Sequence, residues 1–229
     1  MESISILYED NHLIAINKTS SDLVQGDKTG DEPLPERVKA YLKEKYNKPG
    51  NVFCGVTHRL DRPTSGVVLF AKTSKALARM NEMFQNHEVK KTYWALVKTA
   101  PAEPEATLIH YLIRNEKQNK SYAYDADKEG AKKAILSYKT VARSDNYSML
   151  EVNLETGRHH QIRCQLAKIG SPIKGDLKYG FPRSNPDGGI SLHARKVEFI
   201  HPVSKERIEI TAPVPQDNLW KAFESMVQV

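Results

Sequence analysis

The chain has 229 residues, a net charge of +6, 39% hydrophobic and 27% charged residues, the balance of a water-soluble globular protein with an ordinary core. No window approaches the roughly 20 consecutive apolar residues that span a bilayer, and the opening MESISILYED lacks the basic and apolar regions of a secretory signal. Its two cysteines, Cys54 and Cys164, lie far apart and outside any CxxC pair, which suits the reducing cytoplasm and argues against a disulfide framework or structural zinc.

Two short strands, ISILYE and LIAINK, open the chain across a polar Asp-Asn-His turn. PERVKAYLKEKY, residues 35–46, starts a helix at Pro35 with Val38, Tyr41, Leu42 and Tyr46 on one face. GVVLFAK, residues 66–72, is an apolar run of strand length. Ser74 then reads as the N-cap of a helix with Leu77, Met80 and Phe84 as its core stripe. KKTYWALVK returns to strand character, with Tyr93, Ala95 and Val97 on one face and Thr92, Trp94 and Leu96 on the other.

Residues 99–106 read as a proline-rich loop, and 133–143 with 147–154 as a hairpin turning at Ser144-Asp145-Asn146. HHQIRCQLAKIG follows as a helix, with Ile162, Leu166 and Ile169 at i, i+4 and i+7 and Gly170 as its stop. After a loop over 180–190 come two late strands, RKVEFIHP and ERIEITAP, and a helix carrying Leu219, Trp220, Phe223 and Met226. No repeat or low-complexity linker interrupts the chain. Strands, hairpins and helices interleave, which predicts one mixed α+β domain over residues 1–229 rather than a doubly wound sheet.

Much of the positive charge is local. Arg158, Arg163, Lys168, Lys174, Lys178 and Arg183 face one acid, Asp176, so the 158–183 stretch alone nets +5. Such a run suits a phosphate backbone, and it equally suits a solvated face. No phosphate loop, dinucleotide motif or nucleophile elbow is present. His160 and Cys164 are i, i+4 on the expected helix, but adjacent histidines diverge on a helix and no carboxylate stands at ligand spacing. A metal site is therefore not expected. The one distinctive acid is Asp61 in HRLDRPTSG, with Arg59 and Arg62 beside it. A carboxylate drawn into a cleft keeps a cationic partner or takes up a proton, and Arg59, Arg62 and Arg163 are the candidate partners. From spacing alone, an ion pair pinning a loop to a helix is the simpler reading.

HRLDRPTSGVVLFAKT resembles the signature of the RluA family of pseudouridine synthases. LYEDNHLIAINK is similar to that family's opening strand pair and KKTYWALV to its K-x-Y-x-A-L-V strand. ETGRHHQIRCQLAKIGSPIKGDLKYG resembles its T-G-R-x-H-Q-I-R to G-D-x-x-Y-G segment, and LHARKVEFIHPVSKE its L-H-A…F-x-H-P strand. Order and spacing agree from about residue 5 to residue 212. Two features depart from the pattern. Thr19-Ser20-Ser21-Asp22 replaces the usual Pro-Ser-Gly. The first catalytic strand starts by about Ile4, where many members carry an S4-type domain, so none is expected ahead of it.

The resemblance implies the pseudouridine synthase fold, a mixed, largely antiparallel sheet flanked by helices and loops with an active-site cleft. It also implies an RNA substrate, from transfer or ribosomal RNA, whose N1–C1′ bond is exchanged for C5–C1′. By position, Asp61 matches the catalytic aspartate, Tyr93 the tyrosine stacked on the base, Arg163 the basic partner of the aspartate, and Arg59 an arginine holding the flipped nucleotide. Arg62, Arg158 and Lys174 are the further candidates for RNA contact. The implied reaction is redox-neutral and needs no cofactor or metal, and a monomer is expected. Gly157, Gly175 and Gly180 are expected at turns, Asp176 and Tyr179 as ties for the GDLKYG loop, and His58, His160 and Gln161 as support. Two rivals stand against this reading: a non-catalytic RNA-binding module, and a metal-dependent nuclease or deaminase using His159, His160 or Cys164.

Overall fold

The computed structural model describes residues 4–26 and 29–227. In chain order these form β1 (Ile6–Glu9), β2 (Leu13–Lys18), α1 (Leu34–Lys45), β3 (Gly55–Val56), β4 (Ser65–Ala71), α2 (Ser74–Gln85) and β5 (Lys90–Val97). They continue through β6 (Glu105–Asn115), β7 (Lys120–Tyr124), β8 (Lys132–Arg143), β9 (Ser148–Leu154), α3 (Gln161–Lys168), β10 (Leu192–Ile200), β11 (Arg207–Thr211) and α4 (Asn218–Val227). The α+β class is as the interleaved pattern predicts. The chain folds into two compact units, one up to Lys90 with Ala194–Pro213, the other Lys91–His193 with the residues from Val214 on.

In the first unit the strand order is β1-β2-β4-β10, with β3 paired to β4 and β11 to β10. β2 and β4 run antiparallel in a register from Leu13↔Ala71 to Lys18↔Gly66. Their apolar runs are buried on both faces: Leu13, Ile14, Ala15 and Val67 through Ala71 are all 0% exposed. This is why neither strand alternates in sequence. α1 buries Leu34, Val38 and Leu42, while Tyr46, expected on the core face, is exposed at the helix end. There the ring meets the ammonium groups of Lys45, Lys48 and Lys72.

The N-cap of α2 is Thr73, one residue ahead of the expected Ser74. Its extended backbone aims the hydroxyl at the Ala76 amide, 3.1 Å away. The buried stripe is accordingly Ala76, Met80 and Met83. Leu77 and Phe84 sit at its edges, Leu77 over Gly55 and Phe84 against the His58 ring at 4.8 Å.

The second unit orders its strands β5-β9-β8-β6-β7, and the pairs β5–β9, β8–β9, β6–β8 and β6–β7 are antiparallel. β6 and β7 were not expected; β6 begins inside the segment read as a loop, at Glu105. Its polar and apolar residues mix because the strand is only partly covered. One sheet face carries Leu112 and Ala134 against Cys164 of α3 and Tyr179. The opposite face packs Trp94, Leu96 and Met149 against Trp220 and Phe223 of α4. Met226, read as part of the α4 stripe, is 46% exposed, one step too far round the helix. α3 starts at Gln161 rather than His159, because His160 adopts the left-handed conformation at φ +53 and cannot extend the helix.

Candidate active site

Asp61 lies in the first unit, in a turn that feeds β4. The Thr64 amide donates to the Asp61 carbonyl at 3.0 Å, closing a four-residue turn with Arg62 and Pro63 at its centre. Pro63 has no amide to satisfy and a pre-set φ, so the turn is stiff. The segment before it is tied sideways to β4. Thr57 Oγ1 donates to the Leu69 carbonyl at 2.7 Å, and the Leu69 amide donates to His58 Nε2 at 3.1 Å. His58 is thereby committed as an acceptor on that nitrogen, a supporting role. After the turn Gly66, at φ +116, lets β4 pass against the backbone of Ala194. Asp61 itself is half-buried, between exposed Arg59 and half-buried Arg62.

The two guanidinium groups reach the segment before α1. Arg59 donates to Gln25 Oε1. Arg62 pairs with Asp31 at 2.6 Å and donates to Thr29 Oγ1 at 3.3 Å. Beneath the turn lies a residue the sequence reading passed over. Lys18, the last residue of β2, is 1% exposed, and its ammonium donates to the carbonyls of Thr19, Arg62 and Thr64 at 2.8, 2.8 and 2.7 Å. Burial pulls its pKa down to about 7, against the attraction of Asp22 and Asp61 and with the repulsion of Arg62. A lysine closing an apolar strand and heading a polar loop is the only sequence signal for it.

Tyr93 and Arg163 belong to the second unit, on one side of its sheet. Tyr93, 7% exposed, stands opposite Val152 in β9, which stands opposite Tyr138 in β8, on the face that α3 covers. Arg163, in the first turns of α3, is 5% exposed and binds Asp176 through Nε at 2.7 Å and a terminal nitrogen at 2.9 Å. A bidentate pair of this kind fixes the guanidinium plane. Its flat face lies 5.1 Å from the Tyr179 ring centre. The Tyr179 hydroxyl accepts from the Ser121 amide at 2.8 Å and shares a hydrogen bond with His160 Nδ1 at 3.0 Å. Burial, with the Arg163 charge second, pushes His160 down to about 2, so the ring is neutral at physiological pH. Gln161 ties the turn ahead of α3 to β8, accepting from Thr156 Oγ1 and the Arg158 amide and donating to the Ile135 carbonyl.

The basic run of 158–183 does not form one open face. Arg163 is buried, Lys168 pairs with Asp125 at 2.8 Å, half-buried Lys174 donates to Asn185 at 2.6 Å, and Lys178 reaches the carbonyls of Gln118 and Asn119. Arg158 is exposed, its Nε on the Lys133 carbonyl at 3.0 Å. Among the described residues no group of three or more His, Cys, Asp or Glu side chains could hold a metal ion, and no helix is long and apolar enough to cross a membrane.

Comparison with known proteins gives this geometry a setting. The sequence pattern of the RNA pseudouridylate synthase family matches residues 12–168. The tRNA pseudouridine synthase C of Vibrio cholerae is 30% identical over 240 residues, covering 97% of this chain and 95% of that protein. The ribosomal large subunit pseudouridine synthase D of Xanthomonas campestris is 34% identical over 227 residues, covering 93% of this chain and 67% of that protein. Against another relative the chain spans 66% of its length. The solved structure of human RNA pseudouridylate synthase domain containing 4 superposes with a TM-score of 0.79 at 20% identity, over 98% of this chain and 93% of that one, a likeness of fold.

Proposed function

The chain belongs to the RluA family of RNA pseudouridine synthases, and on that premise we propose that it isomerises a uridine of structured transfer or ribosomal RNA with Asp61 as the reacting carboxylate. The observation that carries this reading is the setting of Asp61: a half-buried carboxylate in a stiff turn, between two arginines, over a buried ammonium. That is a costly way to build a surface ion pair and a sound way to hold one reactive oxygen in place.

In this mechanism the uridine leaves its stack at a cost of a few kcal/mol, offset by phosphate and base contacts. Asp61 either attacks C1′ or takes the C2′ proton towards a glycal. Both routes break N1–C1′ and release a delocalised uracil anion that needs no protonation. The uracil turns and C5 bonds to C1′, displacing the Asp61 carboxylate on the first route or adding to the glycal as the proton returns to C2′ on the second, and the C5 hydrogen then departs as a proton. Tyr93 stacks on the freed base, and Arg163 supports the ionised form of Asp61. Arg59 holds the flipped nucleotide, and Arg62, Arg158 and Lys174 contact the RNA, each exchanging a hydrogen bond it makes within the protein for one to the substrate. The two compact units act as one catalytic domain in this reading, as a cytoplasmic monomer.

The test is tritium release from transfer and ribosomal RNA carrying [5-³H]uridine, with wild type beside Asp61→Asn. Release by wild type alone, with the variant still binding RNA, is the expected outcome. Equal release by both would remove Asp61 from the chemistry. Release by neither, across both RNA classes, would favour a non-catalytic RNA-binding protein.

A further inference from the structure

Among the described residues, Lys18 is one of the largest fully buried side chains of the first unit, and it is charged where the others are apolar. An ammonium has three donors and no acceptor. Here all three find carbonyls, and two of those carbonyls, of Arg62 and Thr64, belong to the turn that presents Asp61. An apolar side chain at the end of β2 would fill the same space without desolvating a charge. It could not pull two turn carbonyls inward, and the turn would lose both of the hydrogen bonds that draw the Arg62 and Thr64 carbonyls towards the end of β2.

The third carbonyl leads to the loop that departs from the family pattern. Asp22 accepts from the Thr19 amide and from Thr19 Oγ1, both at 2.8 Å, and pairs with Arg37 of α1 at 2.6 Å. The side chains of Asp22 and Arg37 are only 11% and 16% exposed, which shields the pair from solvent screening. The loop thus clamps the Thr19 carbonyl on one side of the ammonium while the Asp61 turn closes the other. The contacts run without a break from α1 through Arg37, Asp22, Thr19 and Lys18 to Arg62 and Thr64.

We propose that Lys18 is a positioning residue for Asp61: its ammonium fixes the 61–64 turn through the carbonyls of Arg62 and Thr64, and the Thr19–Asp22 loop, braced by Arg37, fixes the ammonium. This rests on the reading of Asp61 as the reacting group. It also gives the divergent loop a role that needs no contact with substrate.

The experiment is single-turnover tritium release at saturating RNA, with RNA affinity measured in parallel, for wild type, Lys18→Met and Lys18→Arg, normalised to folded protein. Loosening a reactive group by a fraction of an ångström lowers the rate by about tenfold to a hundredfold for Lys18→Met while RNA affinity holds within about twofold. Lys18→Arg restores part of the rate because a cation returns to the carbonyls. A merely structural lysine would lower the melting temperature and leave the rate per folded molecule unchanged, and that result overturns the proposal. Should the Lys18 variants not fold, Asp22→Asn and Arg37→Gln decide, since both leave Lys18 in place. A several-fold fall in rate with unchanged affinity supports the brace, and an undiminished rate refutes it. If wild type itself releases no tritium, it is the synthase reading that fails; an active wild type with equally active variants removes only the positioning role.

Discussion

Replacing Gly66 by alanine tests how closely β4 is seated against β10, two residues after the Asp61–Thr64 turn. Two separate costs arise. The backbone at φ +116 is a conformation L-residues rarely adopt, which costs about 1–3 kcal/mol. The added Cβ would also lie 2.3 Å from the Ala194 carbonyl oxygen and 2.5 Å from its nitrogen. A carbon–oxygen contact needs about 3.3 Å, so the strands must part by roughly 1 Å. Close-packed interiors do not absorb that, and the loss of two or three ladder hydrogen bonds adds about 1–3 kcal/mol. The sum, about 2–6 kcal/mol, is a large fraction of the 5–15 kcal/mol that typically holds a protein folded. Gly50→Ala is the control, because Gly50 has φ +128 in the same unit with nothing within 4 Å of a built Cβ. The assay is urea unfolding followed by far-ultraviolet circular dichroism, since both tryptophans, Trp94 and Trp220, lie in the second unit and would report on that unit alone. A Gly66→Ala destabilisation within about 1 kcal/mol of the Gly50→Ala value would refute the argument from close strand contact.

Asp176→Asn removes a carboxylate from a guanidinium that is 5% exposed, and the expected loss is about 3–5 kcal/mol in thermal or urea unfolding; a loss under about 1 kcal/mol would show that the pair is not what seats the 175–180 loop. Glu9 is subject to a burial effect that raises its pKa, but hydrogen bonds from Lys45, Lys72, Tyr46 and Tyr41 outweigh it and hold the carboxyl down at about 2. Its folded value lies below the unfolded one, so its contribution is complete above pH 4.5 and is lost as pH falls towards about 2. Glu9→Gln should therefore flatten the pH dependence of stability across that window, and an unchanged acid limb in pH-dependent urea midpoints would contradict the assignment.

How much was legible in the chain depended on how local the cause was. β2 and β4 are apolar runs bounded by polar turns, and their lengths announce them. Asp61 stands out because its flanking arginines and its turn residues lie within a few positions of it. The α2 cap was read one residue late, since Thr73 and Ser74 carry equivalent hydroxyls and only the extended backbone at Thr73 decides between them. β6 carries no such signal because only His110 and Leu112 in it are buried, so no apolar alternation is required.

The elements whose hydrophobic period and turn chemistry agree, and the motif that singles out Asp61, are written in the chain itself. The company of the buried charges comes from the fold alone. Lys18 takes carbonyls 44 and 46 positions away, and Arg163 takes a carboxylate 13 positions away. Periodicity carries no information over such separations, because the need of a buried cation for partners is set by where the strands and helices bring it, and a lysine reads the same in sequence whether water or three carbonyl oxygens will surround it.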